Sequence, residues 1–116
     1  MKNNIVQEKS FLFSIRIIKT YQQICSQKKE YILSKQLLRC GTSIGANIEE
    51  SIGGQSKADF IYKIRISYKE SRETIYWIKL LKATDYLSEE LSISLLQDAE
   101  AICRILAKIL ITSKSD

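Results

Sequence analysis

The chain contains no histidine and no proline, and among its 116 residues there are only four glycines, one methionine and one tryptophan. Each shortage excludes a class of protein. Without histidine, the Glu-x-x-His pairs of a ferritin-like di-metal bundle cannot be built, and no serine or cysteine can have an imidazole base beside it. Without proline, and with so little glycine, an all-β domain with many tight turns is disfavoured and long uninterrupted helices are favoured. Cys25, Cys40 and Cys103 are odd in number and show no CxxC spacing. That argues against a disulfide framework and suits small apolar residues in a reducing compartment. No run of about 20 apolar residues exists to span a membrane. No apolar run follows a basic start as in a signal peptide, so the expected location is cytoplasmic.

What is present is a basic chain of helix-forming segments. The formal charge is +5 and the isoelectric point is near 9.1. A basic excess is compatible with nucleic acid or an anionic surface and proves neither. The length suits one domain, residues 1–116, able to bury a core without disulfides or metal.

Apolar periodicity predicts four helices, at about 4–27, 31–52, 57–83 and 88–111, joined by short links. The fold class expected is all-α, an antiparallel up-and-down four-helix bundle. In the first helix, Phe11, Ile15, Ile18, Gln22 and Cys25 form one stripe, and Phe13, Ile17, Tyr21 and Ile24 a second. The second helix keeps Gly41 and Gly45 in its interior, where each costs roughly 1 kcal/mol relative to alanine. Leu37, Gly41, Ile44, Ile48 and Ile52 share a face, so the glycines predict close backbone contact with a neighbour. Gly53-Gly54 predicts a left-handed stop. Ser56-x-x-Asp59 predicts a capping box at the start of helix three, and Ser88 is the expected cap of helix four. Residues 112–116 are expected to fray.

Helix three carries two apolar stripes. Ile61, Ile64, Tyr68, Ser71, Ile75 and Ile78 are the expected core stripe. Tyr62, Ile66, Tyr76, Trp77 and Leu80 lie roughly opposite. Aromatics on a second stripe suit either an oligomer interface or half-exposed amphipathic side chains.

Two segments, QLLRCGTSIGANIEES and DFIYKIRISYKESRETIYWIKLL, carry a family likeness. Arg39, Gly41-Thr42-Ser43, Ala46-Asn47 and Glu50 on helix two, with Glu70, Glu73 and Trp77 on helix three, follow a long ordered pattern. On these residues the chain resembles the small bacterial four-helix-bundle proteins encoded within 23S rRNA intervening sequences. Cys40 and Ser67 stand where relatives often carry Ser and Ala, both small replacements. The resemblance implies a bundle that assembles into a homopentamer, without an established activity. The family is also similar to the accessory protein of diversity-generating retroelements, a pentameric bundle thought to hold nucleic acid and a reverse transcriptase. The implied partners are therefore further copies of the chain, RNA or DNA, and a reverse transcriptase by analogy only. No membrane partner and no cofactor are expected.

Three groups of residues are candidates for function. Tyr62, Ile66, Glu70, Glu73 and Trp77 of helix three, with the row Arg39, Ser43, Asn47 and Glu50 of helix two, are the expected oligomer interface. In this reading Glu73 pairs with Lys69 and Glu70 meets a cation across the interface. Arg65, Lys69, Arg72 and Lys79 make a basic ridge spaced to follow a phosphate backbone, or else a solvated helix edge. Ser43 has no base to activate it, and the Gly-Thr-Ser-Ile-Gly run lacks the Gly-Lys-Ser/Thr ending of a phosphate loop. The chain therefore reads as a non-enzymatic assembly protein with a candidate nucleic-acid surface. The alternative is a purely structural or protein-interaction scaffold.

Overall fold

A computed structural model describes residues 2–114, with side chains described from residue 5 onward. Four helices run in order: α1, Lys2–Gln23; α2, Leu33–Ile52; α3, Lys57–Ala83; α4, Glu89–Lys114. They form an up-and-down bundle of 47 × 21 × 20 Å. Opposed numbering across each pair shows the antiparallel course. Gln7 of α1 meets Glu49 of α2, and Glu50 of α2 meets Lys63 of α3. Arg16 of α1 bonds Asp98 of α4.

The expected boundaries hold to within a few residues, with three differences. At the end of α1, residues Ile24–Lys28 widen into a π-helical turn, closed by Lys29 in the left-handed region at φ 55°. Glu30 then turns its carboxylate back onto the next helix. It accepts from the N–H groups of Ile32, Leu33 and Ser34 at 3.0, 2.9 and 2.8 Å. These are the donors that a helix start leaves unpaired. α2 ends at Gly53 as expected, but neither glycine there is left-handed; Gly53 has φ −84°. The need at Gly54 is for room. A Cβ there would sit 3.2 Å from Asp59 Cβ, because the first turn of α3 folds back on it. Ser56 and Ser88 cap α3 and α4, each accepting an N–H at 3.1 Å. α4 runs on to Lys114, past the expected fraying point; residues 115 and 116 lie outside the described residues.

The core is a column of apolar side chains, among them Phe13, Ile17, Leu37, Ile44, Ile78, Leu95 and Ile102. It decides between the two stripes of α1 and corrects the expected core stripe of α3. In α1 the buried line is Val6, Phe13, Ile17 and Ile24, while Phe11, Ile15 and Ile18 face outward. In α3 the buried line is Ile64, Ser67, Ser71, Thr74, Ile78 and Leu81, with Tyr68 and Ile75 at its flank. Hydroxyl-bearing residues can occupy it because each bonds a nearby carbonyl. Ser71 donates to Tyr68 and Thr74 to Glu70. Ser67 donates across to the Ile44 carbonyl of α2 at 2.8 Å. The polar atoms are thus satisfied while the small side chains let the helices close up. Gly41 does the same from the other side of α2. A Cβ there would lie 2.9 Å from both Cγ1 and Cγ2 of Ile17. Close backbone contact at the α2 glycines is therefore observed at Gly41, and more loosely at Gly45, against Ser10 and Ser14 of α1.

Candidate functional site

The antiparallel register sets what lies along the seam between α2 and α3. Arg39 faces Glu70 and Glu73, and Glu50 faces Lys63. Ile66 falls between these contacts, opposite the Ser43–Asn47 stretch. Arg39 is the hub. Its Nε donates to Gln36 Oε1 at 3.1 Å, Nη1 to Glu70 Oε1 at 3.4 Å, and Nη2 to Glu73 Oε2. Trp77 Nε1 donates to the same Glu73 oxygen at 3.0 Å. Desolvation is the largest single influence and pulls the Arg39 pKa down, but Glu73, with a smaller contribution from Glu70, outweighs it in sum and holds the guanidinium above its ordinary value. Ser43 donates to the Arg39 carbonyl and Asn47 to the Ser43 carbonyl. Both side chains thus donate within their own helix.

This corrects the expected pairing. Glu73 bonds Arg39 rather than Lys69, and Glu70 finds its cation within the same chain. The reason is register: positions 63, 66, 70, 73 and 77 share the side of α3 that leans on α2, while Lys69 is on the outward side. The second stripe of α3 is divided accordingly. Ile66 and Trp77 are half-buried in the seam, whereas Tyr62 and Tyr76 point outward, 61% and 57% exposed.

The outward side of α3 holds the basic ridge. Arg65, Lys69, Arg72 and Lys79 are all exposed. Among the described residues none of the four lies in ion-pair range of a carboxylate. Arg72 instead lies over Tyr68, its guanidinium carbon 6.0 Å from the ring centroid and Nη1 3.3 Å from the hydroxyl. Four uncompensated cations on one face make a local positive potential that exposed salt-bridged pairs elsewhere do not.

The Cys40 thiol is buried and pushed up to about 11, mainly by desolvation, so it stays protonated at neutral pH. Among the described residues no group of three or more Cys, Asp or Glu is gathered as a metal site. The clefts are open grooves. One of about 470 Å³ lies where the π-helical turn meets the α3–α4 connection, with Lys28 and Lys82 set among Asp85 and Glu89. Among the described residues no helix is long and apolar enough to cross a membrane.

A model of the 23S rRNA-intervening sequence protein family matches residues 2–108. The chain belongs to that family. It is also similar to a crystal structure from Bacteroides thetaiotaomicron, described as a protein of unknown function from the S23 ribosomal protein family. The two are 45% identical, the match covers 95% of this chain and 98% of that one, and the TM-score is 0.93. No curated protein matches the chain significantly. Four of the residues that carried the family likeness, Arg39, Glu70, Glu73 and Trp77, are joined by the structure into one hydrogen-bonded cluster.

One of the two α1 stripes stays largely on the surface. Phe11, Leu12, Ile15 and Ile18 form an exposed apolar face on α1, with Phe11 66% exposed. Grooves of about 570 and 350 Å³ flank it on the α2 and α4 sides. The signal was the unusual width of the apolar arc of α1, which is broader than one core contact needs.

Proposed function

We propose that the protein is a non-enzymatic, self-assembling bundle that holds nucleic acid on the outward face of α3. The observation that carries this reading is the row Arg65, Lys69, Arg72 and Lys79, exposed and without carboxylate partners among the described residues. Phosphates would supply the missing counter-charge, and release of condensed counterions would drive binding. The S23 ribosomal protein label of the Bacteroides relative is compatible with an RNA partner. A symmetric ring, pentameric as the family likeness implies, would repeat the row on every subunit and multiply a modest charge. Self-association is supported by the exposed apolar face of α1, and by the half-exposed seam of Arg39, Ser43, Asn47, Glu50, Ile66, Glu70, Glu73 and Trp77. The bacterial cytoplasm is the compartment this reading assigns.

The test is retention of a mixed RNA and DNA pool by the purified chain at rising salt. Retention should fall steeply between about 50 and 200 mM. Arg65→Glu with Lys69→Glu should abolish it at the lower salt. Retention unchanged by that double reversal would leave the alternative, an interaction scaffold without nucleic acid, whose specific support is the apolar face of α1.

A further inference from the structure

The basic row is not only basic. Tyr62, Arg65, Lys69, Arg72, Tyr76 and Lys79 succeed one another at spacings of three, four, three, four and three residues. That alternation draws one straight line along a helix. All six side chains are exposed. The line extends over about 26 Å, with the two tyrosines about 21 Å apart, at 1.5 Å per residue. Tyr76 makes a T-shaped contact with Trp77, ring centroids 5.4 Å apart at 76°, and stays 57% exposed. Trp77 is itself fixed by Glu73, so the seam positions the outer ring.

We infer that this stripe takes a single strand of RNA or DNA, its bases stacking on Tyr62 and Tyr76 while Arg65, Lys69 and Arg72 follow the phosphates between them. The inference rests on the proposed nucleic-acid function and narrows its ligand. Cations alone would serve a duplex equally well, but a duplex hides its base faces and gives the two rings nothing to stack on. Reading base edges in a duplex would need a helix seated in a major groove about 12 Å wide. α3 is flanked by α2 and α4 in a bundle about 20 Å across, so a duplex would be held by its phosphates alone. Exposed aromatics set among cations are the arrangement that sequence-tolerant single-strand binders use. A stacked strand advances about 3.4 Å per nucleotide, so the stripe accommodates at most about eight.

Fluorescence anisotropy on the full-length chain decides this, with labelled mixed-sequence 12-nucleotide single strands of RNA and DNA and the matching 12-base-pair duplex. The single strands should bind more tightly than the duplex. Tyr62→Ala with Tyr76→Ala should weaken single-strand binding by roughly 5- to 150-fold per ring and leave duplex binding unmoved. Tyr62→Phe with Tyr76→Phe, which keeps both rings, should bind nearly as the parent does. Should the alanine pair bind single strands undiminished while Arg65→Glu with Lys69→Glu loses them, stacking is refuted and the charge reading survives. A duplex that binds as tightly as the single strands refutes stacking in the same way. Should the charge reversal also change nothing, or the parent bind neither, the nucleic-acid function falls with the inference.

Discussion

Replacing Gly41 and Gly45 separately with alanine measures how tightly α1 and α2 are closed. The two substitutions share their favourable term, because each removes a glycine from a helix interior and so gains roughly 1 kcal/mol of helix propensity. They differ in what the new methyl group meets. At Gly41 it would lie 2.9 Å from Cγ1 and from Cγ2 of Ile17, and 3.2 Å from its Cδ1. Carbon atoms prefer about 3.5–4.0 Å, so two contacts overlap strongly. Ile17 is fully buried and both clashing atoms branch directly from its Cβ, so neither can swing away without a rotamer change. Overpacking of this kind costs about 1–3 kcal/mol. At Gly45 the nearest atoms are Ser10 Oγ at 3.3 Å and Ser14 Oγ at 3.4 Å, a contact that needs only slight adjustment. In urea unfolding followed by circular dichroism, Gly41→Ala should therefore be less stable than Gly45→Ala by about 1–3 kcal/mol. The propensity term cancels in that difference. A sign change makes the test sharper. In an Ile17→Ala background the clashing atoms are gone, and Gly41→Ala should become stabilising. If Gly41→Ala equals or exceeds Gly45→Ala in the native background, the close approach of α1 to α2 is not what keeps glycine at position 41.

Glu30→Ala removes the carboxylate that caps α2 and should cost about 1 kcal/mol at pH 7 by urea unfolding. Burial alone would raise the Glu30 pKa, but the N–H groups of Leu33, Ser34 and Ile32 outweigh it and hold the carboxyl below its ordinary value. The contribution is then complete above the unfolded-state value and lost as pH falls through the folded-state one, so the gap between parent and variant should shrink as the solution is acidified; a gap that does not change on acidification contradicts the cap. Phe11→Glu with Ile15→Glu should leave unfolding within about 0.5 kcal/mol of the parent, as exposed substitutions do, yet lower the mass seen by sedimentation. Trp77→Ala should likewise weaken assembly more than it destabilises the subunit; a parent that is already monomeric at micromolar concentration removes the basis for both.

The bundle was legible because its determinants are local. Periodicity, the absence of proline, and the Ser56 and Ser88 caps each act within a few residues of chain. What failed depended on rotation. The expected core stripe of α3 leaned toward Tyr68 and Ile75 because large apolar side chains ordinarily mark the interior. In the structure Ser67, Ser71 and Thr74 hold the centre, since hydroxyls bonded to nearby carbonyls pack as small, satisfied residues. That rotation moves Glu70 and Glu73 onto α2 and sends Tyr62 to the basic row. Glu30 illustrates a different failure. A glutamate three residues before a helix is not a usual cap; it works here because the left-handed Lys29 turns the chain beneath the α2 N-terminus.

The same rotation bears on whether assembly and nucleic-acid binding are compatible. α1 packs beside α2 and α4, and α3 packs beside the same two helices, so α1 and α3 are diagonal in the bundle. The exposed apolar face of α1 and the basic face of α3 therefore point in opposite directions. A copy seated on α1 leaves the α3 row uncovered, and like-charged rows on neighbouring subunits need not meet. The seam between α2 and α3 differs, because Arg39, Glu70 and Glu73 already neutralise one another inside one chain. A partner covering it would bury charges that are paired beforehand, which avoids the desolvation of a lone ion. Assembly through α1 and binding of phosphates to the α3 row, as proposed above, should therefore separate by salt. An apolar contact on α1 would strengthen or hold as ionic strength rises, whereas a hold of the α3 row on phosphates would weaken over the same range. A complex that sheds nucleic acid at about 0.5 M salt while keeping its mass would assign the two roles to opposite sides of the bundle.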